Sequence, residues 1–228
     1  MARLSIRTPS RPGTLQDQVR RYIEEQIKSR KLLPGGPIDE NAVAVHFHSS
    51  RTPVREALLI LAMQGLVEIR PRSGIYVRRP PAAELVALFE ALTEFEAVLV
   101  RLAAQRLKRG DRGVLIKALE DTERMAKKND IKRYEAANAA FHQVIYRSSA
   151  NPMIVEQVRA IRTRLAAFRL LGFDRPGRLL ASHREHQQIV EAILAGDVEA
   201  AASAMRNHIS NGGQGFVDLV LSDGKNLR

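Results

Sequence analysis

Cysteine is absent from the 228 residues. No disulfide can brace the chain, and no thiolate can act as nucleophile or metal ligand. The absence fits a reducing cytosol, and a cytoplasmic protein is expected. No run approaches the roughly 18 consecutive apolar residues that would span a bilayer, so no membrane partner is expected. The opening MARLSIRTPSRPG is basic but holds no apolar stretch of the kind a secretory signal needs. Internal repeats, low-complexity tracts and the HExxH signature of zinc hydrolases are also missing.

What is present is enough apolar material for real cores. Hydrophobic residues make up 45% of the chain, and the length allows one large or two small domains. The formal net charge is +11, and it is unevenly placed. Residues 1–79 hold 14 Lys and Arg against 7 Asp and Glu, whereas residues 80–228 hold 22 against 18. A compact basic segment is the electrostatic footprint of a polyanion binder; a basic surface with no partner is the alternative on charge alone.

Hydrophobic spacing divides the chain further. Val19, Tyr22, Ile23 and Ile27 recur on one helical face, and "LPGG" from Leu33 to Gly36 stops that helix. A short helix is expected over Glu40–Phe47. Thr52 is a good N-cap and Pro53 suits the first helical position, so a third helix is expected to begin there. It buries Val54, Ala57, Leu58 and Leu61 and turns Arg55 away, and Gly65 ends it. "LVEIRPRSGIYVRR" reads as two short strands around a turn at Pro71–Gly74. Three helices and a hairpin make a winged helix-turn-helix. Its third helix presents its N-terminal residues to a major groove, where arginine pairs with guanine and Ser or Thr hydroxyls reach phosphates or bases. Arg72 at the hairpin tip reaches a neighbouring groove or the backbone.

"RRPPAAEL" from Arg78 to Leu85 marks the boundary between domains at 1–79 and 80–228. Beyond it the periodicity is helical throughout. Six helices are expected at about 82–109, 112–128, 131–149, 152–171, 177–195 and 197–221, with short connections that imply an antiparallel bundle. The fold class is therefore mostly α: a winged helix-turn-helix followed by an all-α bundle.

Four of the six histidines lie in this bundle: His142, His183, His186 and His208. Asn138 and His142 share a helical face with Phe141 and Ile145 beside it. His186 aligns with Ile189, Val190 and Ile193, and His208 with Met205 and Ile209. An amide and three imidazoles from three helices suit one divalent ion such as zinc or nickel. Separate, individually hydrogen-bonded core histidines are the alternative. Arginines are also dense, at Arg159, Arg162, Arg164, Arg169, Arg178 and Arg184. Most belong to solvated faces, but one or two turned inward would clamp a carboxylate. Arg164, Arg169 and Arg178 are the candidates.

The segment "SSRTPVREALLILAMQGLVEIRPRSGIYV" resembles the DNA-binding domain of GntR-type bacterial transcription regulators, and "LLPGGPIDENAVAVHF" resembles its first half. "FEALTEFEAVLVRLAAQRL", "NAAFHQVIYRSSANP", "SHREHQQIVEAILAGDVEAA" and "MRNHI" resemble the FCD ligand-binding domain of the FadR subfamily. The resemblance implies a homodimer on a near-palindromic operator, released by a small organic acid. It places Arg51, Thr52 and Arg55 at the DNA, Ser50 on its backbone, and Arg72, Ser73 and Gly74 at the groove edge. It also implies a divalent metal at Asn138, His142, His186 and His208. Where the family usually has aspartate this chain has Asn138, and where an arginine often stands on the first bundle helix it has Leu92. A DNA-binding repressor rather than an enzyme is expected; the rivals are a constitutive DNA-binding protein with a structural bundle, and a metalloenzyme.

Overall fold

The computed structural model describes residues 13–166, 173 and 175–223, with side chains up to residue 213. The chain divides after Arg79 into two compact units.

In the first unit, α1 spans Leu15–Lys28, α2 Glu40–His46 and α3 Arg51–Met63. Thr14 caps α1 by accepting from the Asp17 backbone N–H, and Asp17 adds a negative charge to the first turn. Val19, Ile23 and Ile27 form its buried stripe. Asp39 caps α2 through the N–H groups of Asn41 and Ala42. The expected N-cap at Thr52 is corrected by two residues: Ser50 is the N-cap and Arg51 is the first residue of the helix. Pro53 fits there because the third residue of a helix needs no intrahelical N–H bond. Val54, Ala57, Leu58 and Leu61 are fully buried. Strands β1 (Val67–Arg70) and β2 (Gly74–Val77) pair antiparallel, Val67 opposite Val77 and Arg70 opposite Gly74. Arg72 at φ 62° and Gly74 at φ 124° close the turn between them.

A third backbone stretch joins this hairpin. Gly35 N–H donates to the Val77 carbonyl at 2.8 Å, Val77 N–H to the Gly36 carbonyl at 2.9 Å, and Ile38 N–H to the Ile75 carbonyl at 2.8 Å. The "LPGG" segment thus runs along β2 after α1 has already ended at Lys28, five residues before the predicted stop.

The second unit is the helical bundle. Helix α4 spans Ala82–Arg106, α5 Arg112–Lys127, α6 Ile131–Ser149, α7 Pro152–Arg164, α8 Arg178–Ala195 and α9 Val198–Asp223, with a 3₁₀ turn at Arg109–Asp111. The expected helix over 152–171 is observed to Arg164; residues 167–172 lie outside the described part. Asn151 caps α7 on the Ile154 N–H with Pro152 next to it, and Gly196 at φ 72° ends α8. Helix α4 runs against α6, α7, α8 and α9, which makes it the central element. Its Leu92, Leu99 and Val100 meet Phe141, Ile145, Val158, Ile189 and Met205 in one core.

Candidate functional site

Ser50, Arg51, Thr52 and Arg55 are exposed on the first turn of α3, and Arg72, Ser73 and Gly74 are exposed at the hairpin tip. The Ser50 side chain makes no cap hydrogen bond, so the N–H groups of the first turn stay open to a phosphate. Arg51 and Arg72 make no ion pair among the described residues. Arg55 differs: its Nε donates to Glu40 Oε2 at 2.8 Å. On the hairpin, Tyr76 braces the tip by donating to the Ser73 carbonyl at 3.1 Å, and its ring lies under the Arg70 guanidinium at 4.5 Å. Sequence reasoning missed Glu40 and Tyr76, since neither stands on the third helix or at the turn itself.

In the bundle, α6 carries Asn138 and His142, α8 carries His186, and α9 carries His208; all four are buried. A nitrogen from each ring lies within 4.8 Å of the other two. His186 Nε2 and His208 Nε2 approach to 3.3 Å. Two nitrogens each about 2.1 Å from one ion, at an angle near tetrahedral, stand about 3.4 Å apart, so this spacing fits a shared metal. Asn138 Oδ1 and His186 Nδ1 are buried without a hydrogen-bond partner among the described residues. Such atoms are costly unless something further engages them. A cavity of about 50 Å³ opens here, lined by Asn138, His142, Arg162, Arg178 and His208 among polar residues and by Phe89, Leu92, Phe173 and Ile209 among apolar ones. His183 lies elsewhere, with Nδ1 3.0 Å from Thr122 Oγ1 of α5.

Two glutamates complete the site, and sequence reasoning gave neither a place. Glu96 is fully buried on α4. Its Oε1 accepts from Arg162 Nε at 2.7 Å, from Arg162 Nη2 and from the Tyr146 hydroxyl. The signal was available: Glu96 interrupts the stripe of Leu85, Leu88, Leu92, Leu99 and Ala103, an inward position where a carboxylate is an anomaly. Glu185 neighbours His186 in sequence, and adjacent helical residues face apart. It reaches across to α9 instead, where its Oε2 lies 2.7 Å from His208 Nδ1. The Arg178 fork holds both of its oxygens at 2.9 Å, and Asn211 Nδ2 donates to Oε1 at 3.0 Å.

The arginine candidates are redistributed accordingly. Arg178 faces the cavity, already paired with Glu185. On α7 it is Arg162, not Arg164, that lines the cavity. Arg164 is half-buried on the same helix, and Arg169 lies outside the described residues. Burial and the Arg162 charge push the His142 imidazolium down to about 3. His186 is driven far below the usual histidine range by burial, then by His208 and His142. Burial also lowers His208, against the raising effect of Glu185. Burial alone would raise Glu96, but Arg162, then His142 and Tyr146, outweigh it and keep the carboxylate ionised. At neutral pH the site therefore holds three neutral imidazoles and two internally compensated arginines.

Comparison with known proteins follows the same division. A model of bacterial regulatory proteins of the gntR family matches residues 15–77, and a model of the FCD domain matches residues 87–211. The chain is 31% identical over 191 residues to an uncharacterised HTH-type transcriptional regulator in an unstable DNA locus of Streptomyces ambofaciens, covering 82% of this chain and 78% of that one. It is 30% identical over 198 residues to a probable D-xylose utilization operon transcriptional repressor of Paenarthrobacter nicotinovorans, covering 86% of each. Among solved structures, E. coli McbR/YncC matches with a TM-score of 0.76 at 22% identity, over 93% of this chain and 99% of that one, which speaks for the fold. An exposed basic helix start on one unit, a cavity with converging polar side chains in the other and these matches agree: the chain belongs to the GntR family of bacterial regulatory proteins, with an FCD domain as its second unit.

Proposed function

We propose that this regulator is a repressor that binds a near-palindromic operator as a homodimer and leaves it when a small organic acid enters the bundle. Family membership supports DNA binding and regulation over the metalloenzyme reading, and the named repressors among its relatives support the direction of the effect. Specificity supports the dimer: one recognition helix reads only a few base pairs, and a two-fold pair doubles the site. Binding in the bundle would change how two copies pair, and with it the spacing of their recognition helices.

The observation that carries the effector reading is the cluster of His142, His186 and His208, with the unpartnered Asn138 Oδ1, beside a cavity that Asn138, His142 and His208 line. These residues would hold a divalent ion, which when bound supplies positive charge and open coordination positions. The protein supplies no net charge of its own, because Arg162 with Glu96 and Arg178 with Glu185 cancel. Attraction for a carboxylate therefore rests on the ion, with the outer faces of the two guanidinium groups as secondary anchors. Asn138 brings an amide where an aspartate would bring charge, so affinity for the ion is expected to be lower than in an Asn138→Asp variant.

Elemental analysis of protein prepared without chelator, beside a His186→Ala/His208→Ala variant, is the direct test. Wild type should retain close to one zinc or nickel per chain, and the variant none. Thermal-shift measurements with small organic acids should show stabilisation by acid only when the metal is present. Equal metal content in both proteins and equal responses to acid would refute the site. A constitutive DNA-binding protein with a purely structural bundle is the second reading, favoured by the modest cavity. Under it, no acid changes operator affinity in a gel shift.

A further inference from the structure

His208 and His142 each have a glutamate beside Nδ1, Glu185 partly buried and Glu96 fully buried, but the two arrangements are not equivalent. Glu185 Oε2 lies 2.7 Å from His208 Nδ1. An ionised carboxylate only accepts, so Nδ1 carries the proton and Nε2 is left as a bare lone pair facing His186. At His142, Glu96 Oε2 is 3.5 Å from Nδ1, and Arg162 Nη2 is closer, at 3.1 Å. A guanidinium only donates, so in this arrangement Nδ1 accepts and the proton sits on Nε2. That tautomer leaves His142 unable to ligate through Nε2. It also leaves Glu96 Oε2 buried with no hydrogen-bond partner, although Glu96 Oε1 is surrounded by donors.

We infer that Glu96 and Arg162 make His142 a two-state ligand, whose tautomer ties occupation of the histidine cluster to the release of one Arg162 N–H toward the cavity. This rests on the metal reading above. When His142 ligates through Nε2, its proton must stand on Nδ1. The proton leaves Nε2 and one is taken up at Nδ1, with no change in the charge of the ring. Nδ1–H then has Glu96 Oε2 as its natural acceptor, which satisfies the orphaned oxygen. It can no longer accept from Arg162 Nη2, because two donors face each other. That N–H turns to the cavity that Arg162 lines, where an acid's carboxylate can take it. Glu96 is a positioning residue here, acting through His142. Glu185 fixes His208 in the ligating tautomer in both states.

The tautomers are read directly in wild-type protein labelled with ¹⁵N at histidine, by two-bond proton–nitrogen correlation, before and after one equivalent of zinc. Without zinc, His142 should show its proton on Nε2 and His208 on Nδ1. With zinc, the His142 proton should appear on Nδ1, and the Nε2 shifts of His142, His186 and His208 should all move. In an Arg162→Gln variant the His142 proton should already stand on Nδ1 without zinc. A wild-type His142 that holds Nδ1–H without zinc overturns the inference, as does one that keeps Nε2–H while His186 and His208 respond to zinc. Zinc that shifts none of the three rings overturns the metal reading itself, and this inference with it.

Discussion

The two units use arginine in opposite ways. On the winged helix, Arg51 and Arg72 stand in solvent without an ion-pair partner among the described residues, and even Arg55, paired with Glu40, keeps most of its side chain exposed. In the bundle, Arg162 and Arg178 are largely buried and each faces its own glutamate. The exposed charges interact weakly with the rest of the protein and keep their hydration and rotamer freedom. The buried ones were desolvated on folding, and their partners must stay in place. The same residue type is therefore left free in solvent on one unit and built into the electrostatic architecture of the other.

Acid should break the comparison most strongly. His142, His186 and His208 have folded-state affinities for protons below the unfolded value, so the unfolded chain binds protons first as pH falls. Stability is full above about 6.5, and each ring removes up to about 1.4 kcal/mol per pH unit below it, down to its folded value, which for His142 is about 3. Glu96, also depressed, adds to the loss once pH drops below its ordinary 4.5. The histidines of the winged helix, His46 and His48, are exposed. Thermal unfolding of metal-free protein followed from pH 7.5 to 4.5 should split into two transitions, with the bundle falling first. Transitions that fall together would contradict the contrast.

Next in size is the buried pair. Glu96→Ala leaves Arg162 uncompensated and is expected to cost about 3–5 kcal/mol, whereas Glu96→Leu with Arg162→Leu should recover most of it. Urea unfolding measures both. A single-variant loss under about 1 kcal/mol would mean that the pair is no more than a surface ion pair in effect.

Much of this contrast was legible in the sequence, and what was not has a physical reason. The buried stripe of α3 and the inward faces of α6, α8 and α9 follow from helical spacing, so Val54, Leu58, His142 and His186 could be placed from periodicity alone. The start of α3 could not, because Thr52 and Ser50 are both good caps and only the backbone decides between them. Periodicity also fails for long side chains. Glu185 leaves its own helix to meet His208, and Arg162 turns inward where Arg164, two residues on, does not line the cavity; reach and partner, not spacing, settle such cases. Glu96 was readable as a charge on an apolar stripe, but its partners lie 50 and 66 residues away.

On the DNA side the expected effects are smaller. Arg51→Ala should cost about 1–3 kcal/mol on the operator and little on a scrambled duplex. Gel-shift titration on both duplexes decides; equal losses would assign Arg51 to phosphate instead of base. Smallest is Glu40→Gln, which should change fold stability by less than about 1 kcal/mol. Releasing Arg55 should strengthen binding to scrambled DNA more than to the operator and steepen the salt dependence by up to about one ion. An unchanged affinity for scrambled DNA would show that Glu40 does not hold Arg55 back.

The hydrogen bonds that tie Gly35, Gly36 and Ile38 to β2 bear on the mechanics of the wing. Two four-residue strands alone would twist and fray on their own timescale. Stitched to the stretch that leads into Asp39 and α2, the hairpin becomes the outer part of a lever whose inner end is the cap of that helix. A load applied at Arg72 would be carried along β2 to the entrance of α2, where Glu40 holds Arg55. The wing tip and the entrance of α2 are thus connected through backbone, and stiffness along that path, not wing length, would set how firmly one reports on the other.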